Sequence, residues 1–194
     1  MNPTSVADRR SRRRDQILGA AWDIAAESGL TAVSLHEVAR RVGIRQPSLY
    51  GYVSSKLDLY DAMFAQAYEQ LLDRLDACPP QGSARDQLHR VSRTVLDFVV
   101  ENPPRQQLLF QRTIPGFEPS AASYALAVRL ADRCAGLLAA LDAGTASHLD
   151  VYTALVAGLG AQQVANDPGG DRWTRHLEPM LDLFLDHFDP AESS

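Results

Sequence analysis

A run of polar side chains near the N-terminus has the composition that contacts with nucleic acid require. An arginine fork matches the edge of guanine, a glutamine amide matches adenine, and a proline ring packs against a thymine methyl group. Serine and tyrosine hydroxyls and a lysine ammonium group suit phosphate oxygens. The candidate residues are Arg45, Gln46, Pro47, Ser48, Tyr50, Tyr52 and Lys56. The sequence therefore predicts a surface that reads base edges and holds the phosphate backbone.

Two short helices joined by a glycine turn must position these side chains. Ser34 with Glu37 forms a capping-box pattern that opens a helix ending near Val42. Gly43 makes the turn, and a second helix follows over about 46–50 with a proline in its first turn. A helix pair of this size places its second helix in the major groove of DNA. We therefore assign Ser34, at the start of the pair, to the same interface.

An arginine-rich arm precedes the helix pair. Five arginines lie between residues 9 and 14, and Arg12 and Arg13 are assigned to the DNA interface. The alternative is that this arm is a solvated flank rather than a segment lying on phosphates or in the minor groove. Arg40 and Arg41 have two interpretations as well. They either contact phosphates or form a charged helix face that is only solvated.

The charge is distributed unevenly along the chain. The net charge of the whole protein is −5, but residues 1–60 carry nine basic and six acidic side chains. All but one of the nineteen basic residues are arginine, whose planar fork suits phosphate and guanine. A basic end on an acidic body favours a defined orientation of docking on a polyanion.

Residues 34–57 resemble the DNA-binding segment of the TetR family of bacterial transcriptional repressors. The similarity is carried by the phrase Val-Gly-Ile-Arg-Gln-Pro-Ser-Leu-Tyr-Gly-Tyr-Val-Ser-Ser-Lys and is specific over about residues 12–65. The resemblance implies base-facing roles for Gln46, Pro47 and Ser48 and phosphate contacts for Tyr50 and Lys56.

The chain departs from the family at two positions that would touch DNA. Gly51 and Tyr52 stand where the family's type member carries tryptophan and histidine. The operator sequence of that protein is therefore not expected to transfer to this chain. Tyr50 also has an alternative interpretation as mainly a packing residue.

The rest of the chain is predicted to be helical as well. Apolar residues recur with helical spacing between breaks at Pro79-Pro80, Pro103-Pro104, Pro115-Gly116, Gly144 and Asp167–Asp171. No segment alternates like a strand, so the predicted class is all-α with about nine helices. We expect a helix-turn-helix DNA-binding domain over residues 11–57 and a helical effector-binding and dimerisation domain over residues 58–190.

The C-terminal helices carry a surplus of packing surface. The helix over about 146–166 is apolar on all sides near Gly158, and the helix over about 172–188 has a wide apolar stripe. The resemblance implies that these two helices form a four-helix bundle across a two-fold axis. The predicted dimer residues are Leu155, Gly158, Leu159, Leu177, Met180, Leu181 and Phe184. The alternative is that both helices are buried within one protomer.

Aromatic residues spread over the C-terminal helices could line an apolar pocket with a few polar anchors. The predicted pocket residues are Phe98, Phe110, Gln111, Arg112, Phe117, Tyr124, Tyr152 and Trp173. For each residue taken singly, an ordinary core position is at least as good an interpretation. The resemblance implies a small-molecule effector that shifts the separation of the recognition helices.

Enzymatic and metal-dependent functions are not favoured. The five histidines are scattered without metal-ligand spacing, and the chain has no glycine-rich phosphate loop and no nucleophile elbow. We expect no cofactor and no metal. Cys78 and Cys134 do not make a disulfide framework, and no apolar run is long enough to cross a membrane. We expect a cytoplasmic protein without a membrane partner.

The sequence as a whole favours a ligand-responsive, DNA-binding transcriptional regulator. It is expected to be a repressor that binds a pseudo-palindromic operator as a homodimer and is released by a small-molecule effector of unknown identity. A binding module with a vestigial DNA end, acting through protein contacts, is the main alternative, and an enzyme built on the C-terminal helices is a weaker one. The sequence does not separate repressor from activator.

Overall fold

The structure of the protein is a computed structural model that describes residues 6–77 and 80–187. All regular elements in these two ranges are helical, with no strand. The helices are α1 (Val6–Ser28), α2 (Leu35–Val42), α3 (Gln46–Leu49), α4 (Lys56–Asp76), α5 (Ala84–Val100), α6 (Pro103–Phe110), α7 (Ala121–Ala139), α8 (Ala146–Asn166) and α9 (Leu177–His187). The predicted all-α class is confirmed.

The first three helices form a small unit around a shared core. The hydroxyl of Ser34 accepts a hydrogen bond from the backbone N–H of Glu37 and so caps α2. Gly43 ends α2 with φ +72°, a conformation that favours glycine, and its N–H bonds to carbonyls of the last turn. Leu49 of α3 is fully buried in this core, so the short α3 is held with one face inward.

Helix α4 connects this unit to the rest of the molecule. The indole Nε1 of Trp22 donates to Oε1 of Gln66 at 3.0 Å, and the hydroxyl of Tyr60 donates to the carbonyl of Leu30 at 2.5 Å. Both bonds join the first half of α4 to the N-terminal unit. These bonds link α4 to α1 and to the 3₁₀ turn at residues 30–32.

Helices α5 to α9 pack together with α4 as a bundle. Helix α6 approaches α8 closely, because the buried amide of Gln106 donates from Nε2 to the carbonyl of Ala157 at 3.0 Å. A Cβ atom at Gly160 would stand 2.8 Å from Oε1 of Gln106. The side chain of Gln106 on α6 thus occupies the space next to Gly160 within the same chain.

The C-terminal helix is fixed to α5 by charged contacts. The guanidinium of Arg93 lies 2.6 Å from a carboxylate oxygen of Glu178 and also donates to the carbonyl of Thr174 at 3.1 Å. Helix α9 begins at Leu177, later than predicted. The reason is that Oε1 of Gln163 accepts the backbone N–H groups of Trp173 and Thr174, which holds this segment as a tight turn.

The other helix boundaries agree with the sequence to within a few residues. The largest remaining difference is at α1, which is helical from Val6, five residues before the predicted domain start at residue 11. The arginines of the basic arm therefore lie on the first turns of a helix. Cys78 and the predicted boundary at residue 190 lie outside the described residues.

Candidate nucleic-acid interface and ligand cavity

Helix α3 presents a polar edge to solvent. Arg45, Pro47, Ser48 and Tyr50 are exposed, whereas Leu49 on the opposite side is buried. Gln46 is half-buried and lies 3.5 Å from the hydroxyl of Tyr50. An arginine, an amide and hydroxyl groups on one exposed edge can meet base edges and phosphates together.

The N-terminal turns of α1 lie beside this edge. Arg9, Arg10, Arg12 and Arg13 line an open groove of about 690 Å³ together with Gln16, Gly51 and Tyr52; we call it the basic groove. Arg10 donates to the carbonyl of Gly51 at 3.0 Å, and its guanidinium lies 5.9 Å from the ring centre of Tyr52. The fold thus brings the predicted residues Arg12, Arg13 and Tyr52 together.

Lys56 and Ser34 have structural partners in addition to any role at the interface. The ammonium of Lys56 donates to the carbonyl of Thr31 at 2.9 Å and lies 5.6 Å from the ring centre of Tyr60. Two of its three donors remain for a phosphate. The Ser34 hydroxyl accepts the capping bond of α2, and its own proton remains available.

Ion pairs engage the two arginines of α2. Arg40 binds both carboxylate oxygens of Glu37, and Arg41 forms a two-bond pair with Glu27 on α1. The hydrogen bond from Arg40 is the main cause that lowers the pKa of Glu37 to about 2. Because their charges are balanced locally, these arginines are not placed in our candidate interface.

A cavity of about 300 Å³ lies among α4, α5, α6, α7 and α8; we call it the α4–α8 cavity. Its lining is mainly aliphatic and aromatic, and it includes three of the predicted pocket residues, Phe110, Tyr124 and Tyr152. Tyr124 is 57% exposed. It therefore lies where the cavity opens towards solvent.

A chain of hydrogen bonds fixes Tyr152 in this lining. The hydroxyl of Ser92 donates to the carbonyl of Leu88 at 2.7 Å and lies 2.9 Å from the hydroxyl of Tyr152. Serine has one proton, so Tyr152 donates to Ser92. The thiol of Cys134 in turn donates to Tyr152 at 3.7 Å. Burial raises the pKa of Tyr152 and of Cys134, so both groups stay protonated near neutral pH.

Five of the predicted pocket residues do not line the α4–α8 cavity, which corrects the sequence-based assignment. Phe98 is fully buried between the guanidinium groups of Arg74 and Arg105, and Phe117 packs edge-on against Tyr60. The others are Gln111, Arg112 and Trp173. Helical spacing alone does not distinguish the cavity side of a helix from its core side.

Two of the five residues outside the cavity lining lie in the exposed connection between α6 and α7. Gln111 and Arg112 follow the last residue of α6 and are exposed, and Arg112 lies 3.9 Å from Glu118. Trp173 precedes α9, and its backbone N–H binds Gln163. Other residues of the cavity lining were not predicted, because their only signal in the sequence was helical spacing; these are Tyr68, Val95, Leu130, Cys134 and Val156.

Four predicted dimer residues are buried inside the protomer. Leu159, Leu177, Leu181 and Phe184 have relative exposures of 0–7% because they pack on neighbouring helices. Leu177 and Leu181 offer a partner no surface, and Leu159 and Phe184 offer little, so the predicted dimer contacts of these four stay a prediction without support from exposed surface. Within the protomer, these four side chains are buried against neighbouring helices of the same chain.

An apolar surface remains on the outer side of α8 and α9. Of the predicted residues, Gly158 and Met180 are exposed and Leu155 is half-buried. Leu183 and Val151, which the sequence analysis missed, are 71% and 46% exposed. We call these five residues the outer α8–α9 face.

Within residues 6–77 and 80–187, no group of three or more His, Cys, Asp or Glu side chains is arranged to hold a metal ion. None of the helices described in these ranges combines the length and apolar character needed to span a bilayer.

Comparison with known proteins matches the N-terminal unit to a family. Residues 17–63 match the family described as bacterial regulatory proteins, tetR family. The transcriptional activator FasR of Mycolicibacterium smegmatis is 27% identical over 140 residues, covering 72% of this chain and 64% of FasR. The nucleoid occlusion factor SlmA of Haemophilus influenzae is 27% identical over 99 residues, or 50% of this chain and 45% of SlmA. The matched region thus spans less than two thirds of either relative.

Solved structures extend the similarity to the whole fold. A tetR-family transcriptional regulator from Streptomyces coelicolor is 25% identical, with a TM-score of 0.66 and coverage of 92% of this chain and 79% of that chain. The fatty acid degradation regulator FadR from Bacillus halodurans shares the fold, with a TM-score of 0.70, 14% identity and coverage of 89% and 94%. Residues 17–63 thus carry the N-terminal unit of the tetR family of bacterial regulatory proteins, and the chain as a whole shares the fold of solved regulators of this kind.

Proposed function

We propose that this protein is a homodimeric, effector-responsive transcriptional repressor that binds a pseudo-palindromic operator in the cytoplasm. The observation that carries the proposal is the exposed polar edge of α3 beside the basic groove. Residues 11–57 would bind the DNA, and residues 58–190 would bind the effector and the second protomer. One relative, FasR, is named an activator, and we propose repression for this chain.

Base reading by α3 can be tested separately from phosphate binding. We expect Gln46→Ala to relax preference at one base position and to cost roughly 1–3 kcal/mol on the preferred operator, because a bidentate base contact is lost. Lys56→Ala should weaken binding to all duplexes alike, since a phosphate contact carries no sequence information. Fluorescence anisotropy with the DNA upstream of the gene, and with single-base variants of it, measures both.

The full-length wild-type protein at low salt is the reference for this experiment. If it fails to bind the upstream duplex more tightly than a scrambled one, the proposed function is wrong. If Gln46→Ala weakens all duplexes equally, α3 does not read bases through this residue.

The second protomer is expected to dock on the outer α8–α9 face. A single recognition helix reads few base pairs, and a two-fold pair reads half-sites about one helical turn apart. Apolar side chains as exposed as Leu183 and Met180 on one face are typical of a surface that is covered in the assembly.

Leu183→Glu should convert the dimer to a folded monomer. The reason is that a carboxylate would be desolvated in the apolar interface, whereas the isolated protomer leaves this position in water. Sedimentation velocity measures the oligomeric state, and circular dichroism checks the fold. Ala125→Glu adds the same charge at an exposed position of α7 and should leave the dimer intact. A wild-type monomer, or an unchanged dimer in Leu183→Glu, contradicts this interface.

A contact between α7 and α4 offers a route from the cavity to the DNA. The carboxylate of Asp61 on α4 accepts hydrogen bonds from the N–H and hydroxyl of Ser120 and from the hydroxyl of Ser123, at 2.7–2.9 Å. Tyr124, the next residue of α7, lines the cavity. An effector that binds better when α7 and α4 are displaced would shift the population away from the DNA-binding state.

A further inference from the structure

The lining of the α4–α8 cavity carries no formal charge. Its fifteen side chains are aliphatic, aromatic, hydroxyl or thiol groups, and none is Asp, Glu, Lys, Arg or His. Burial raises the pKa of Tyr68, Tyr152 and Cys134, so these groups are neutral near pH 7. A charged ligand group placed there would lose its hydration without gaining a counter-ion, which is strongly unfavourable.

The hydrogen-bonding capacity of the cavity is also limited. Tyr152 uses its proton on Ser92 and accepts from Cys134, so it offers a ligand no donor. Tyr68 differs from it. Its side chain lines the cavity at 4% exposure, and its hydroxyl makes no hydrogen bond with any residue of the described ranges. The Tyr68 hydroxyl is not one of the fully enclosed, partnerless polar atoms of the described ranges, so its donor is open to the cavity and available to an acceptor on a ligand.

We propose that the effector is an uncharged, mainly apolar molecule with a carbonyl or similar oxygen that accepts a hydrogen bond from Tyr68, a proposal that rests on the effector role stated above. The cavity volume of about 300 Å³ restricts the effector to a small molecule. A carboxylate, phosphate or amine group placed inside this uncharged lining is strongly disfavoured.

Three probes with the same arrangement of non-hydrogen atoms test this assignment. Benzylacetone carries a ketone, hydrocinnamate replaces its methyl ketone with a carboxylate, and isopentylbenzene has no oxygen. Calorimetric titration of the full-length protein at pH 7 should rank the ketone first. We expect the hydrocarbon to bind roughly two- to tenfold more weakly, since it lacks one hydrogen bond. The carboxylate should bind at least about tenfold more weakly than the ketone.

Variants of the lining residues test whether this order of probe affinities arises from binding in the α4–α8 cavity. Tyr68→Phe should remove the advantage of the ketone over the hydrocarbon and leave hydrocarbon affinity nearly unchanged. Ala131→Phe, which fills the cavity, should abolish binding of all three probes, and Val128→Phe at the exposed mouth is a second blocking variant if the first unfolds. Ala125→Phe places the same ring at an exposed position outside the lining and should bind like wild type.

Several results would overturn the assignment. These are carboxylate binding as tight as that of the ketone, an unchanged preference in Tyr68→Phe, or no binding of ketone and hydrocarbon up to their solubility. Operator binding is measured on the same preparation. Probe binding without any change in DNA affinity would support the ligand class and contradict the effector role, whereas failure of the probes with intact DNA binding would contradict the ligand class alone.

Discussion

Phe98→Ala should destabilise the protein by about 3–5 kcal/mol, the range for removing a fully buried phenylalanine from a core. Phe98 has no exposed surface, and the guanidinium carbons of Arg105 and Arg74 lie 4.0 and 5.0 Å from its ring centre. Truncation leaves a void and removes the aromatic faces on which both cations rest. Thermal unfolding at fixed protein concentration should show a midpoint lower by roughly 6–20 °C.

Phe110→Ala provides the matched control for this change. Phe110 is half-buried and already borders the α4–α8 cavity, so less packing is lost and the drop in midpoint should be clearly smaller. Equal effects of the two substitutions would mean that Phe98 is not a core residue. A weakened affinity for benzylacetone in Phe110→Ala, with little change in stability, would separate the two roles.

Operator affinity should fall steeply with salt. If the dimer neutralises six to ten phosphates, affinity drops about 10³- to 10⁵-fold between about 50 and 200 mM salt, because bound counterions are released from the DNA. Arg9, Arg12 and Arg13 on the wall of the basic groove and Arg45 at α3 supply cations in each protomer. Anisotropy titrations across this salt range give the slope of log affinity against log salt.

Arg12→Gln should make this slope shallower by about two in the dimer, since each protomer loses about one phosphate contact. Arg129→Gln removes an equal charge from an exposed position of α7 and should leave the slope unchanged. A wild-type slope shallower than about −3, or equal slopes for the two variants, would show that the basic groove does not hold the phosphate backbone.

Local sequence signals predicted the elements of this fold well. Ser34 accepts a hydrogen bond from the backbone N–H of Glu37, as the capping-box spacing predicted, and Ser55 and Ser83 cap their helices in the same way. Gly43 adopts the positive φ that its place between two helices required. These features depend on a few neighbouring residues, so a single sequence contains them in full.

The sequence was less informative about which side of each C-terminal helix faces a cavity, the core or a partner. Phe98 and Tyr152 both occupy aromatic positions in a helical pattern of apolar residues. Phe98 packs against two arginines, whereas Tyr152 lines the cavity. Leu181 and Leu183 are two residues apart on α9, and only Leu183 is exposed. Such differences are set by long-range neighbours such as Arg93, which docks α9 on α5.

The sequence alone determined the helical class, the glycine turn, the exposed polar edge around Arg45 and the resemblance to a regulator family, because capping, turn formation and helix amphipathicity act over one or two turns. Tertiary packing decided where the cavity lies, that its lining is uncharged and that the Tyr68 hydroxyl makes no hydrogen bond with the residues of 6–77 and 80–187. It also decided which apolar residues of α8 and α9 stay exposed, since these outcomes depend on how five helices from distant parts of the chain are placed together.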